Sequence, residues 1–337
     1  EGEVLRVDFA LEERAVELDG VVVTGTLTRT FVKDSPTKIN VVSPTYLEKV
    51  PTANVMEVLE NVNGLYQQVD CGVCGTNNIR INGMDGPYTA VLIDGMPIMS
   101  SLATVYGLNG ISPAMIQQVE IIKGPMSTLY GSEAMGGVIN VITKSPQSAP
   151  PLVLNAFRTA HGENALDIGS SGTFGRWSGL ASATIYHNDE YHDDNGDNFS
   201  DLTLNTRSSV FARAARRDDS GRPQFEVSGR YYHEDRLGGT AEYVDTYSDA
   251  LRGSDVLYGE TILTKRIETI GTWHLKPETG ARIDLAFNHH DQDSFYGTDS
   301  YQAQQSTAFG QLLWPLRLNA RQTLMVGATL RGQRYDD

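Results

Sequence analysis

Cys71 and Cys74 flank Gly72-Val73 and are the chain's only cysteines. A CxxC pair supports three chemistries: a dithiol redox couple, half of a metal site, or a local disulfide. No second CxxC and no HxxxH accompanies it, so a four-ligand zinc site lacks its other half. A thioredoxin-like strand–helix–strand setting is also missing. Copper(I), a soft cation, would recruit thioethers, and Met84, Met96 and Met99 are the candidates to join Cys71 and Cys74. Each of these methionines alone is more often core filler. The residue types alone leave all three readings open.

A second cluster is the stretch Asn188–Leu202, with six acidic residues in fifteen. Asp193, Asn195 and Asp197 alternate as calcium ligands do, which makes 188–202 a candidate calcium loop. The EF-hand order fails, because Gly196 is misplaced and no Glu closes the loop. The plain reading is a solvated loop. His289 and His290 are adjacent on a predicted strand, so they face opposite sides and do not readily ligate one ion. Enzyme signatures are lacking. Gly124–Gly131 has no Lys-Ser/Thr to make a phosphate loop, and no Gly-x-Ser-x-Gly elbow occurs. No catalytic residues and no required cofactor are assigned.

The 337 residues suffice for two or more domains. The net charge of −15 and the pI of about 4.9 argue against a nucleic-acid partner, which would ask for a basic face. No run of about 18 apolar residues exists to make a spanning helix. A membrane β-barrel is not excluded by this, because its strands alternate lipid-facing and lumen-facing residues. The chain starts at Glu1 and carries no signal peptide, as a mature or truncated form would.

Two regimes follow one another. Up to about residue 148 the pattern is α+β. Ser43-Pro44 opens one helix, with Pro44 at its first position, and Ala53–Leu59 is a second with Val55, Val58 and Leu59 on one face. Strands are predicted at 78–81, 90–93, 119–122 and 138–143, with a helical turn near 113–117. Pro146, Pro150 and Pro151 mark a boundary. Beyond it, nine alternating segments recur: 152–161, 163–173, 177–187, 203–215, 224–235, 257–275, 281–290, 303–314 and 322–334. Their connections alternate short (216–222, 276–280, 319–321) with long (188–202, 237–255, 292–301), the pattern of an outer-membrane barrel.

The segment Val119–Lys144, VEIIKGPMSTLYGSEAMGGVINVITK, resembles the end of the plug domain of TonB-dependent outer-membrane receptors. Val21-Val22-Val23-Thr24 is similar to the family's TonB box. Asn54–Leu65 resembles the plug helix, Ile79-Arg80-Ile81-Asn82-Gly83 the "IRG" strand, and Val91–Pro97 the strand and turn after it. Two departures are local: Asn82 interrupts the Arg-Gly pair, and Lys123 stands where Arg is commoner.

The resemblance implies an α+β plug domain followed by antiparallel transmembrane β-barrel strands. The expected organisation is a remnant of a carboxypeptidase-regulatory-like β-sandwich at 1–18, box and linker at 19–35, plug at 36–148 and the N-terminal portion of the barrel at 149–337. About nine strands leave the barrel incomplete, since a plugged barrel takes about 22. The implied function is binding of a scarce metal-containing ligand (iron–siderophore, haem or corrinoid) and its import on energy transduced by TonB and its inner-membrane complex. Lodging in the Gram-negative outer membrane, against its lipid, follows. TonB would take the box by strand addition. A copper importer using the CxxC loop and a non-transporting surface binder are the alternatives. The resemblance also places Cys71, Cys74, Asn77, Asn78, Met96 and Met99 at a substrate-facing plug apex, where an oxidising envelope favours a disulfide. It makes Arg80 and Lys123 plug–barrel contacts, and leaves Cys71, Cys74 and Met84 as the metal candidates.

Overall fold

A computed structural model describes residues 20–47, 49–50, 52, 55–73, 75–97, 111, 113–319 and 322–337. The expected sandwich remnant at 1–18, together with Cys74 and Met99, lies outside them.

The N-terminal part is built on a four-stranded mixed sheet of order β3-β7-β8-β6. Its strands are β3 (Ile39–Val42), β6 (Thr89–Ile93), β7 (Ile116–Lys123) and β8 (Gly137–Thr143). Alternation along each strand sends side chains to two faces, and both faces are covered. Val91, Ile93, Val119, Ile121, Ile139 and Val141 pack with Val55, Val58 and Leu59 of helix α2 (Val55–Glu60). Ala90, Leu92, Ile122 and Val138 pack on the other side with Val22, Met126 and Ala134. Burial on both faces is why these strands read as nearly continuous apolar runs. Gly137 has φ +155°, and a Cβ there would lie 2.3 Å from the Ile122 carbonyl oxygen, so β7 and β8 meet closely only with glycine.

Two small two-stranded sheets flank this core. Strand β1 (Val21–Val22) pairs with β2 (Thr30–Phe31), and β4 (Leu65–Cys71) pairs with β5 (Thr76–Ile81). Strands β3 and β4 are absent from the sequence reading: four residues at β3, and the polar Gln67-Gln68 inside β4, hide the period. Helix α1 (Pro44–Leu47) starts at the proline as expected. Asn82 takes φ 51° just before Gly83 at φ 81°. Asparagine tolerates that left-handed turn, which accounts for the departure from Arg-Gly.

The remainder is one antiparallel sheet of nine strands in sequential order. These are β9 (Leu152–Arg158), β10 (Asn164–Phe174), β11 (Trp177–Asn188), β12 (Leu204–Arg217), β13 (Pro223–Gly239), β14 (Gly259–Lys276), β15 (Ala281–Tyr296), β16 (Asp299–Arg317) and β17 (Thr323–Asp336). All nine expected strands are present. Strands β9 and β17 are the sheet's two edges. One face exposes Ile168, Ile185, Tyr231, Ile267, Leu285 and Phe287; the other buries Arg230, Glu234, Arg236, Arg266, Glu268 and His290 against the plug. The apolar face outward and polar face inward is the arrangement of a barrel wall in lipid. Aromatic residues Phe174, Trp177, Phe225 and Trp273 gather at the short-turn end of the exposed face.

One connection differs from expectation. The long loop predicted at 292–301 is strand: β15 and β16 pair through Tyr296 and Asp299, around Gly297-Thr298. Gln292 and Ser294 are buried on the lumen side. Their polarity marks the inside of a barrel rather than a loop.

Candidate functional site: the docked N-terminal strand and the plug–barrel contacts

At the short-turn end, the segment Val21–Thr24 lies beneath the plug sheet. Val22 is 1% exposed and Thr24 fully buried. Burying one valine side chain contributes about 1.5–3 kcal/mol, so docking of this segment has an apolar anchor. The polar part is denser. Glu120 Oε2 accepts from the backbone N–H groups of Val23 (3.0 Å) and Thr24 (2.9 Å) and from the Thr24 hydroxyl. Its other oxygen accepts from Gln118 Nε2 (2.8 Å), which also donates to the Val21 carbonyl (2.9 Å). Asn140 Nδ2 donates to Thr24 Oγ1 (2.9 Å), and the Tyr130 hydroxyl donates to the Thr24 carbonyl (2.8 Å). Burial, and then the Glu120 charge, push the Tyr130 phenol above its ordinary pKa, which keeps it a donor.

The sequence builds this cradle simply. Gln118 and Glu120 share the parity of Ile122, so all three face the docked segment, and Glu120 stands opposite Asn140 in the β7–β8 register. The glycine-rich bend after β7 carries a short helix, α3 (Ser127–Tyr130), that brings Tyr130 over Thr24. Sequence reasoning missed Glu120 and Asn140. The available signal was a buried carboxylate and a buried amide inside runs otherwise made of Val and Ile.

Asn140 also holds a plug turn that meets the barrel. Its Oδ1 accepts from Gly95 N–H (3.0 Å) in the Asp94-Gly95 turn. Both turn residues have positive φ, 50° and 82°, and Ile93 and Met96 exchange backbone hydrogen bonds across them, the geometry that Asp-Gly favours in two-residue hairpins. Asp94 accepts from Thr143 N–H and hydroxyl (2.9 and 2.7 Å). Arg213 of β12 lies 3.5 Å from Asp94, donates to Thr143 Oγ1 (2.6 Å) and pairs with Glu226 (2.6 Å). Arg282 of β15 donates to the Leu27 carbonyl (2.8 Å). A chamber of about 150 Å³ lies between these groups, lined by Val23, Arg29, Asp94, Arg213, Glu226 and Arg282.

The β4–β5 hairpin points to the long-loop end. Cys71 is disulfide-bonded, and Cys74 is the one other cysteine in the sequence. A disulfide sulfur has no thiolate to offer a metal, so Cys71 is not a ligand here. Met84 cannot join it: it sits beyond Ile81, at the other end of β5 from the Thr76–Cys71 pair. A six-residue strand spans about 17 Å, against metal–sulfur bonds of about 2.3 Å. Met96 is 3% exposed in the plug core, at the short-turn end, and does not face a substrate. Asn77 and Asn78 do lie on the hairpin, in register with Val69 and Gln68.

The hairpin tip is pinned to the barrel wall. Thr203 donates to the Val73 carbonyl (2.9 Å) and Arg236 to the Gly75 carbonyl (2.7 Å). Cys71 packs with Ile262 and Tyr296, and its sulfur lies 3.4 Å from Glu260 Oε2.

The cations singled out for plug–barrel contact do otherwise. Arg80 pairs with Asp85 (2.9 Å) and Lys123 donates to the Asn63 carbonyl, both inside the plug. The contacts run the other way, from barrel arginines to plug acceptors: Arg213 to Asp94, and Arg331 to both oxygens of Glu133 (3.1 Å each). In the 188–202 loop the carboxylates are turned inward. Asp193 accepts from the N–H groups of Gly196, Asp197 and Asn198, and Asp201 from that of Asp194. Among the described residues no group of three or more His, Cys, Asp or Glu side chains is placed to hold a metal ion. His289 and His290 take opposite faces, with His290 buried and His289 beside Ser306.

Residues 32–138 match the family described as TonB-dependent Receptor Plug Domain. Residues 32–138 are the plug domain of a TonB-dependent receptor. The chain is 36% identical over 135 residues to the iron-regulated outer membrane virulence protein of Vibrio cholerae, a match covering 38% of this chain and 20% of that one. It is 32% identical over 137 residues to the vitamin B12 transporter BtuB of Vibrio vulnificus, covering 41% of this chain and 22% of the other. The fold resembles that of Pseudomonas aeruginosa FpvA bound to heterologous pyoverdines, with TM-score 0.70 at 16% identity over 94% of this chain and 45% of that one. The matched stretches thus span about a fifth of the length of the curated relatives, and the fold match less than half of the solved receptor. Transport is what the name of the Vibrio vulnificus relative states; the place of this chain is the outer membrane. Its short-turn end is periplasmic and its long-loop end extracellular.

Proposed function

We propose that this receptor binds a scarce metal complex at its extracellular face and imports it with energy delivered through TonB. Iron–siderophore is the leading cargo, with haem and corrinoids next. The names of the relatives support ligand import of this kind: iron-regulated, vitamin B12 and siderophore receptors. The observation that carries the mechanism is the β-branched segment Val21–Thr24, docked beneath the plug at the periplasmic end. It serves as the TonB box. Ligand binding shifts the population toward the released segment, the partner pairs with it by strand addition, and traction displaces the plug.

The test is Val22→Pro in the full-length receptor. Proline removes a backbone donor and spoils strand pairing. The variant is expected to bind ligand at the outer face and to fail in import; import at the wild-type rate would overturn the reading. A copper importer built on the CxxC loop is disfavoured, because Cys71 has no thiolate.

A further inference from the structure

Both edges of the Val21–Thr24 segment are occupied by the chain itself. One edge pairs with Thr30–Phe31, extended by the Val32 N–H to Gly20 carbonyl bond (2.9 Å). The other is met by side chains: Gln118 on the Val21 carbonyl, Glu120 on the Val23 and Thr24 N–H groups, Tyr130 on the Thr24 carbonyl. A partner strand has no free backbone edge to add to while these bonds stand. We propose that Glu120 is the catch that holds this segment closed, and that Asn140 couples the catch to the barrel wall through the Asp94-Gly95 turn. This rests on the reading of Val21–Thr24 as the partner-binding segment.

Glu120 is suited to the part. Its side chain is 1% exposed, and one carboxylate oxygen gathers three donors from the segment, while Gln118 braces the other. Bonds to a buried carboxylate are charge-assisted, and about twice as strong as neutral ones. They are also cooperative here: the Thr24 hydroxyl donates to Glu120 and accepts from Asn140, so moving either partner weakens both. Asn140 has one side-chain hand on each system, Gly95 N–H on Oδ1 and Thr24 Oγ1 on Nδ2. The turn carrying Gly95 is held against the wall by Arg213 through Asp94 and Thr143. A displacement of this turn against β12 therefore pulls on the amide that supports Thr24.

The experiment is amide hydrogen exchange on the full-length receptor in detergent, without ligand, read on peptides covering residues 20–26. Glu120→Ala is expected to speed exchange there roughly tenfold or more, and Glu120→Gln by less, because a charge-assisted acceptor is lost or weakened. Exchange in β6–β8 should stay as in wild type. If Glu120→Ala loosens the sheet as well, Thr24→Val decides, since it removes only the hydroxyl; faster exchange of the segment supports the catch. Unchanged exchange in Glu120→Ala, or in Thr24→Val where that variant decides, overturns it. The coupling is tested by a double-mutant cycle. Arg213→Ala should speed exchange of 20–26 in wild type and add nothing in an Asn140→Val background; additive effects would refute the link. Affinity for the isolated periplasmic domain of TonB separates the two readings. Faster exchange with a raised affinity supports both, whereas faster exchange with no change in affinity keeps the catch and removes the partner assignment.

Discussion

Arg236, on the inner wall of the barrel, donates a 2.7 Å hydrogen bond to the carbonyl of Gly75, at the tip of the plug's extracellular hairpin. The CxxC loop is thereby a docking element. Its disulfide narrows the conformations the tip can adopt and holds its carbonyls toward Thr203 and Arg236.

The receptor purified without reductant should show no reactive thiol, and two after denaturation and reduction. Chelation of the receptor, with the chelator removed before ligand is added, should leave ligand binding unchanged. Two reactive thiols in the untreated protein would contradict the bonded state of Cys71.

Gly238 on β13 offers a sharper probe of the same contact. A Cβ there would lie 2.2 Å from the Val73 carbonyl oxygen. Gly238→Ala should push the tip off the wall and break the Arg236–Gly75 bond. Limited proteolysis should then cut within residues 70–76 faster than in wild type, with the barrel still resistant. Equal cutting rates would place the tip elsewhere.

Arg213 and Arg331 both bridge barrel and plug, yet they differ in setting. The Arg213 side chain is 15% exposed and faces Asp94 and Glu226; the Arg331–Glu133 pair is 27% and 42% exposed. Removing Arg213 takes the cation from two largely buried carboxylates, leaving Asp94 with Thr143 and Glu226 with His274, at a cost of about 2–3 kcal/mol. Removing Arg331 should cost under about 1 kcal/mol, because solvent screens the pair. Urea-induced release of the plug, followed by protease access to 39–143, should separate Arg213→Ala clearly from Arg331→Ala.

Ile267 lies mid-strand on the exposed face of β14 and is 49% exposed. Lipid contact predicts that Ile267→Arg destabilises the folded barrel by about 2–4 kcal/mol. A folding titration in lipid vesicles measures this. A neutral effect would mean that this face does not meet hydrocarbon.

The barrel was legible in the sequence because strand alternation and turn chemistry are local. Where reasoning slipped, one pattern had two causes. Gln292 and Ser294 looked like loop residues because a barrel lumen is as polar as a loop. Met96 is expected at the substrate-facing apex from the resemblance, while its side chain goes to the plug core. Arg80 and Lys123 take their expected barrel contacts from the resemblance, and a shared motif does not say which neighbour lies nearest: here Asp85 and the Asn63 carbonyl are closer at hand. Glu120 and Asn140 were passed over because partners of a buried polar group come from remote segments: Thr24 is 96 residues from Glu120 and 116 from Asn140. No window along the chain contains such a pair.

The short pairing of Val21–Val22 with Thr30–Phe31 also stores length. While it stands, the stretch from Gly20 to Lys38 is folded back under the plug, anchored where β3 begins at Ile39. Once it opens, those nineteen residues, extended at about 3.3 Å each, span roughly 60 Å. On the proposed role of Val21–Thr24, the released stretch is a tether that can search far below the membrane while the plug remains seated, so first capture by the partner and later traction on the plug would be separated by the slack in this line.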